Sequence, residues 1–354
     1  MKRRTFLKNA SGVAAGITVG SISACAQSLS NQQDTVAGLP RRVLGRTGEK
    51  VSIVGFPGLA LTHYEQDRCN AGLLDAFKRG VNYYDVAPAY GKNGICEVKM
   101  GIGLEAVKID RSKIFLACKT KMRDKEGARF ELERSLKRLK TDYFDLYQMH
   151  HLRTPDEVKK ALGPGGAIET LLKAKEEGKV RYLGFSAHTT RGALDVMNGF
   201  RFDTAMFPIN FVEYFKMGFG KPVLELAQKQ GVAVLAIKPM SKGPWPKGAE
   251  QTRKWWYRAT ESQYDTDLAM RFTLSKKPVV SGIPPSFLDL LDKAIEAGRS
   301  YRPIKEEETM KLQAMAKDCT SLFRREEERV ARGDFSHSPI YADSPHECCG
   351  GAYA

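Results

Sequence analysis

Short apolar and β-branched runs, each trailed by an amphipathic stretch, recur along the chain at intervals of roughly 30 residues, the length of one strand–helix unit. Candidate strands begin near Val51, Asn82, Lys113, Phe144, Val180, Phe202, Val232 and Pro278. Ile114-Phe115-Leu116-Ala117-Cys118 and Val232-Ala233-Val234-Leu235-Ala236-Ile237 are typical of them. Between strands, Leu132, Leu136 and Leu139 share a helical face beside a Glu133–Lys137 pair, and Leu288, Leu291 and Ile295 repeat the spacing. Eight such units in about 250 residues predict a closed (β/α)8 TIM barrel. A doubly wound sheet is the competitor, but no GxGxxG follows the first strand.

Three departures from the period predict additions to the barrel. Arg46-Thr47-Gly48-Glu49-Lys50, between Val43-Leu44 and Val51, reads as an N-terminal hairpin closing the barrel floor. The seventh unit is overlong and carries Trp245, Trp255 and Trp256 between Ser241 and Thr260. Residues 305–331 form a helical pattern on Leu312, Met315, Cys319, Leu322 and Phe323, followed by a Gly/Ser/Pro-containing tail. The expected division is a signal at 1–25, a polar tether at 26–38, the barrel at 39–300, and a C-terminal helix and tail at 301–354.

A hydrophobic fraction of 42% and a charged fraction of 27% are globular and exclude disorder, collagen and coiled coil as global readings. No stretch approaches the roughly 20 apolar residues of a transmembrane helix. The formal net charge is +15, with Lys2, Arg3, Arg4 and Lys8 ahead of the first acid, Asp34. Elsewhere Lys and Arg are scattered among Glu and Asp, and no nucleic-acid motif appears, so a solvated basic surface and no nucleic-acid partner are predicted.

Arg3-Arg4-Thr5-Phe6-Leu7-Lys8, followed by a weakly apolar Ala/Gly/Val/Ile stretch, resembles a twin-arginine export signal. Ile22-Ser23-Ala24-Cys25 resembles a lipobox, whose Cys25 would be acylated after cleavage and anchor the protein to a membrane. The resemblance implies the twin-arginine export machinery as a partner and a periplasmic location. That route carries proteins already folded, often around a cofactor. Six cysteines remain beyond Cys25, and an oxidising compartment permits disulfides, but their spacing proposes no pairs. Adjacent Cys348 and Cys349 have no CxxC partner, and no metal site is predicted.

Barrel active sites lie at the C-terminal ends of the strands. Asn82-Tyr83-Tyr84-Asp85 ends in an acid with Tyr90 just beyond, Ile114–Cys118 runs into Lys119, and Phe144–Met149 ends at His150. Each residue alone has a structural reading: a helix cap, an ion pair, a core aromatic, a buried histidine. Together they aim an acid, a cation, a phenol and an imidazole at one mouth. A phenol with a pKa near 10 is a poor acid at neutrality, and a nearby ammonium lowers that pKa. Asp85 can hold Lys119 charged, and His150 can hydrogen-bond a carbonyl oxygen. The set suits proton delivery to an oxygen while a hydride reaches its carbon.

Asp85-Val86-Ala87-Pro88-Ala89-Tyr90-Gly91, Lys119 and Asp145–His150 resemble the tetrad motifs of the aldo-keto reductases, and Leu44–Gly48 is similar to that family's N-terminal hairpin. The resemblance covers about Arg41 to Gly298. It implies a nicotinamide cofactor across the barrel mouth, with Tyr90 as proton donor, Lys119 and Asp85 as its tuning pair, and His150 as the carbonyl-orienting group. It further implies cofactor contacts from Ser186, Asn210, Lys238, Pro239, Ile283, Pro284 and Ser286. Ala187 and Met206 stand where the family commonly has Asn and Gln, and Ile237 where an aromatic residue often stacks. Family habit leans to NADP, while the absence of Lys and Arg from Pro284 to Asp292 would suit NAD.

The resulting expectation is an exported NAD(P)-dependent oxidoreductase interconverting a carbonyl and an alcohol. Trp245, Trp255, Trp256 and Tyr257 are expected to line the pocket of a small substrate such as a sugar. The alternative is a nucleotide-retaining binding or sensing lipoprotein with a degenerate reductase site. A carboxylate hydrolase on the same barrel is weaker, because no pair such as Asp85 with Glu97 has a recommending spacing.

Overall fold

The computed structural model describes residues 34–335. The signal, Cys25, most of the tether, and Cys348 and Cys349 lie outside the described residues. A three-stranded antiparallel sheet comes first: β1 (Thr35–Val36), β2 (Leu39–Val43) and β3 (Lys50–Ser52). It begins inside the stretch read as tether, because Asp34 is tied to the floor. Its carbonyl accepts from Arg41 N, and its carboxylate pairs with Lys50 at 2.9 Å.

The barrel follows in chain order: β4 (Phe56–Pro57), β5 (Tyr83–Asp85), β6 (Phe115–Thr120), β7 (Phe144–Leu152), β8 (Val180–Ala187), β9 (Thr204–Pro208), β10 (Ala233–Ile237) and β11 (Val279–Ile283). Each pairs in parallel with the next, and a parallel bridge from Val54 to Gly282 joins the first strand's approach to the last strand. The run from Val51, read as the first barrel strand, divides. Val51 belongs to the floor, paired with Arg42, and the barrel strand starts at Phe56.

Alternation along the strands sorts side chains into two layers. Tyr83, Phe115, Leu146, Met206, Leu235 and Val280 fill the barrel interior, with Leu44 and Val51 of the floor plugging its lower end. Tyr84, Leu116, Cys118, Tyr147, Phe185 and Phe207 point outward into the larger core beneath the helices. Those helices are α1 (Gln66–Lys78), α2 (Ile95–Ala106), α3 (Lys125–Leu139), α4 (Pro155–Leu162), α5 (Ala167–Glu176), α6 (Thr190–Gly199), α7 (Phe211–Met217), α8 (Lys221–Gln230), α9 (Gln263–Leu274) and α10 (Leu288–Arg299). Side-chain caps fix where several begin. Asp124 accepts from Gly127 N, Thr189 from Gly192 N and Ser262 from Asp265 N.

The C-terminal pattern forms two helices, α11 (Glu306–Lys317) and α12 (Arg324–Ala331), where the sequence suggested one. Ser321 breaks it by accepting the backbone N–H groups of Phe323 and Arg324. The seventh loop packs on this break. Gly243 adopts φ +82°, and a Cβ there would lie 1.9 Å from the Thr320 carbonyl oxygen.

Candidate active site

Asp85 closes β5 with its side chain inside the barrel, and the chain then turns through Ala87, whose carbonyl accepts from Tyr90 N at 3.0 Å. Gly91, at φ +70°, reverses the backbone toward α2 where a Cβ would come within 2.7 Å of Ile95. This places the Tyr90 hydroxyl back over the acid. Lys119, on β6 and fully buried, donates to Asp85 Oδ2, to the Tyr90 hydroxyl at 3.0 Å and to the Val86 carbonyl at 3.3 Å. The Asp85 carboxylate also accepts from Tyr90 (3.3 Å), Tyr83 (3.2 Å) and Gln148 (3.4 Å). Burial first, and then the Asp85 charge, push the Tyr83 phenol well above its ordinary pKa, so it stays a neutral donor beneath the site.

His150 reaches the mouth by a local irregularity. The register of β7 against β8 shifts between Met149 and Leu152, and His151 adopts φ +58°. The strand therefore runs two residues past its expected end at His150. The His150 ring meets Tyr90 edge-on at 5.7 Å. Ser186 Oγ accepts from His151 N at 2.7 Å, which fixes the irregular segment to β8.

Asp85, Tyr90, His150, Ser186 and Lys238 line a single cleft over the barrel mouth, and Lys119 lies beneath it. Trp255, Trp256 and Tyr257 form one wall, and Ile283, Pro284 and Ser286 another. Besides Lys119, three expected members lie outside the lining. Asn210 is fully buried as the cap of α7, accepting from Glu213 N at 3.0 Å. Pro239 turns toward Gly282, where a Cβ would approach it at 3.7 Å. Trp245 braces the aromatic wall from behind, its indole N–H donating to the Trp255 carbonyl at 2.6 Å.

The cleft also contains residues not singled out as site members. Met206 and Ile237 face it from β9 and β10, and Gly58 and Leu59 border it after β4. His188 lies just past β8 in the same cleft. Its signal was present in the alternation Tyr182, Gly184, Ser186, His188. Among the described residues, Cys69, Cys96, Cys118 and Cys319 are free and buried, away from this lining, with burial pushing the Cys96 thiol up to about 12.

A buried acid–lysine–tyrosine relay opening on such a cleft defines a barrel oxidoreductase. The Aldo/keto reductase family model matches residues 56–316, and the chain belongs to that family. L-galactose dehydrogenase of Arabidopsis thaliana is 35% identical over 158 residues, covering 41% of this chain and 47% of that protein. The match thus spans about half of that relative's length. The NAD/NADP-dependent indole-3-acetaldehyde reductase of Schizosaccharomyces pombe is 27% identical over 245 residues, 66% of this chain and 82% of that one. Among solved structures, the holo form of an aldo-keto reductase from Bacillus halodurans superposes with a TM-score of 0.63 at 24% identity, covering 80% of this chain and 98% of that one, which shows the shared fold.

Proposed function

We propose that this chain is an exported, nicotinamide-dependent reductase that interconverts a carbonyl and an alcohol on a small molecule such as a sugar. The carrying observation is the position of Lys119 Nζ, 3.0 Å from the Tyr90 hydroxyl and ion-paired with Asp85 under an open cleft. The ammonium stabilises a phenolate, so Tyr90 can give its proton to a carbonyl oxygen near neutral pH. Asp85 is ion-paired with Lys119, and the other donors to that carboxylate hold it in place. His150, edge-on to Tyr90, is placed to hold the same oxygen. Reduced nicotinamide, when bound, supplies the hydride to the carbonyl carbon.

The cleft's groups suit such a cofactor. Ile237, Ile283 and Pro284 offer an apolar wall for a flat ring, and the Ser186 and Ser286 hydroxyls offer polar contacts. The basic residue missing from the sequence after β11 arrives from elsewhere. Arg253 of the long insertion lies over the Phe287 ring at 4.6 Å, but it is bridged to Glu261 at 2.7 Å and Asp289 at 3.0 Å. A 2′-phosphate would compete with two carboxylates there, so NADP and NAD are both retained in the proposal. Export rests on Arg3-Arg4 and the apolar stretch after them, and a lipid anchor on Cys25.

The test is a fluorescence titration with NADPH and with NADH, followed by carbonyl-dependent oxidation of whichever binds. Saturable binding with steady turnover is expected. Binding without turnover on any carbonyl would make the protein a nucleotide-retaining binding protein, and binding of neither would remove the cofactor assignment. Export is tested by cell fractionation with Arg3 and Arg4 replaced by Lys, which is expected to retain the protein in the cytoplasm.

A further inference from the structure

The barrel carries a second concavity at the end opposite the mouth. The floor sheet, the last turn of α1 and the approaches to β5, β6, β7 and β8 enclose a groove of about 640 Å³. Asn82 pins its wall. Its Oδ1 accepts from Ser52 N at 2.7 Å and its Nδ2 donates to the Lys50 carbonyl at 3.0 Å, which ties the floor sheet to the start of β5.

Five cations line this groove against two carboxylates. Arg181 bridges both carboxylates, Asp145 at 2.6 Å and Glu49 beside it, and Lys50 is paired with Asp34. Arg41, Lys78 and Lys113 have no carboxylate within ion-pair distance among the described residues. Lys78 and Lys113 are exposed, whereas Arg41 is half-buried with its Nε lacking an acceptor. Burial works against the Arg41 charge, and Asp34, already held by Lys50, is its only counterweight named in that balance. A guanidinium stays protonated regardless, so that cost persists until an anion arrives.

The same face is aliphatic at its edge. Val36, which lines the groove, and Val43 are 39% and 49% exposed on the floor sheet. A soluble anion would use the cations and leave these valines in water. An anionic lipid interface uses both, because its phosphates take the cations and its headgroup boundary takes the aliphatic groups. The described chain also starts on this face, at Asp34, nine positions after Cys25, a covalent span of at most roughly 30 Å.

We propose that the barrel floor docks on anionic phospholipid headgroups through Arg41, Lys78 and Lys113, with Val36 and Val43 at the boundary, so that the cleft at the other end opens away from the membrane. The inference extends the exported, anchored reading above. Its test uses unacylated protein and needs no turnover, so either can fail alone.

The experiment measures co-sedimentation with vesicles of phosphatidylcholine alone and of equal parts phosphatidylcholine and phosphatidylglycerol. It uses the unacylated full chain with Lys2, Arg3, Arg4 and Lys8 each replaced by Gln, which removes the N-terminal cations from the comparison. This protein is expected to bind the mixed vesicles, to ignore the neutral ones, and to be released as salt rises. Lys78→Gln with Lys113→Gln should weaken that binding about 30-fold, roughly fivefold per cation. Lys247→Gln with Lys254→Gln, an exposed pair on the insertion beside the mouth, should change it by less than about twofold. The three tryptophans, Trp245, Trp255 and Trp256, all lie on that insertion at the mouth end, so brominated lipid chains in the mixed vesicles should leave their emission unquenched. Equal binding to both vesicle types, an equal loss in the two paired variants, or quenched tryptophan emission overturns the proposal. So does release of the protein by glycerol 3-phosphate at constant ionic strength, because the groove then holds a soluble phosphate and not a membrane.

Discussion

Two buried carboxylates flank strand β6 on opposite sides. Asp85 lies inside the barrel and takes Lys119 and the Tyr90 hydroxyl, while Glu97 on α2 lies outside and takes Arg138 at 3.1 Å and the Ser135 hydroxyl at 2.6 Å. Their partners include sequence neighbours, since Cys118, which points outward, donates to Glu97 at 3.5 Å, and Lys119, one residue on, points inward. Each cluster has an acid, a cation and a hydroxyl. The difference is what lies next to the hydroxyl. Tyr90 borders an open cleft, whereas Ser135 is fully buried on the inner face of α3. Burial raises the Glu97 pKa, although Ser135 and Arg138 oppose it. On the proposed function, the same inventory serves catalysis where a reactant can touch it and structure where helices seal it.

The largest effect that sharpens this contrast is on turnover. Tyr90→Phe keeps the ring and removes one of four donors to Asp85, so stability and dinucleotide binding should hold while the rate falls about 10²- to 10⁴-fold, the usual span for a lost general acid. Initial rates and a fluorescence titration check both halves. A variant that turns over normally would move the proton donor elsewhere and dissolve the distinction between the two clusters.

Next in size is Lys119→Met, which leaves Asp85 charged in the barrel interior. Unfolding by denaturant should show a loss of about 3–5 kcal/mol, as for other buried charges robbed of a partner. Adding Asp85→Asn should recover much of that stability without recovering turnover. If the double variant regains activity, the pair serves only to fold the mouth.

How much of this was legible in the chain follows the strands' alternation. Asp85, Lys119 and His150 were found because a strand end leaves few choices about where an inward side chain goes. The floor hairpin was visible in its turn residues, although the start of the barrel was set five residues too early by the apolar run through Ile53 and Val54, which serves the seam with β11. Asn210, Pro239 and Trp245 fall outside the cleft lining because they belong to loops, whose side chains follow packing rather than a period. The left-handed steps at His151 and Lys238 carry no sequence mark, since neither is Gly or Asn. Glu97, Ser135 and Arg138 sit on two helices at ordinary helical positions. Their meeting is a tertiary fact.

The sealed cluster gives the third prediction. Glu97→Gln keeps the shape, retains a carbonyl acceptor for Ser135 or Cys118, and releases Arg138, which is partly exposed and can turn to water. The cost should be about 2 kcal/mol in a chemical unfolding curve, the range for a charge-assisted hydrogen bond, with kcat unchanged. A folded Glu97→Gln protein that lost most of its turnover would show that the outer cluster positions Lys119 through Cys118, and the contrast drawn above would fail.

A third buried acid extends the comparison to the C-terminal extension, with the smallest expected effect. Glu213 on α7 accepts from Leu322 N at 2.8 Å and from the Ser321 hydroxyl, which ties the break before α12 to the barrel. Burial pushes its carboxyl up to about 7, against the pull of Ser321, Leu322 and Arg324, while Glu327 adds to the rise. An unfolded chain releases that proton near pH 4.3. Between there and about pH 7 the folded state holds a proton that the unfolded state has lost. The contribution of this group is therefore fully present below about pH 4.3 and declines as pH rises to 7, with a slope of at most about 1.4 kcal/mol per pH unit. Gln copies the protonated acid, so Glu213→Gln should match the wild type near pH 4 and exceed it at pH 8 in thermal melts. Unlike Asp85, which is ion-paired with Lys119, Glu213 works as a neutral clasp. Equal melting curves for the two proteins at both pH values would show that it is not one.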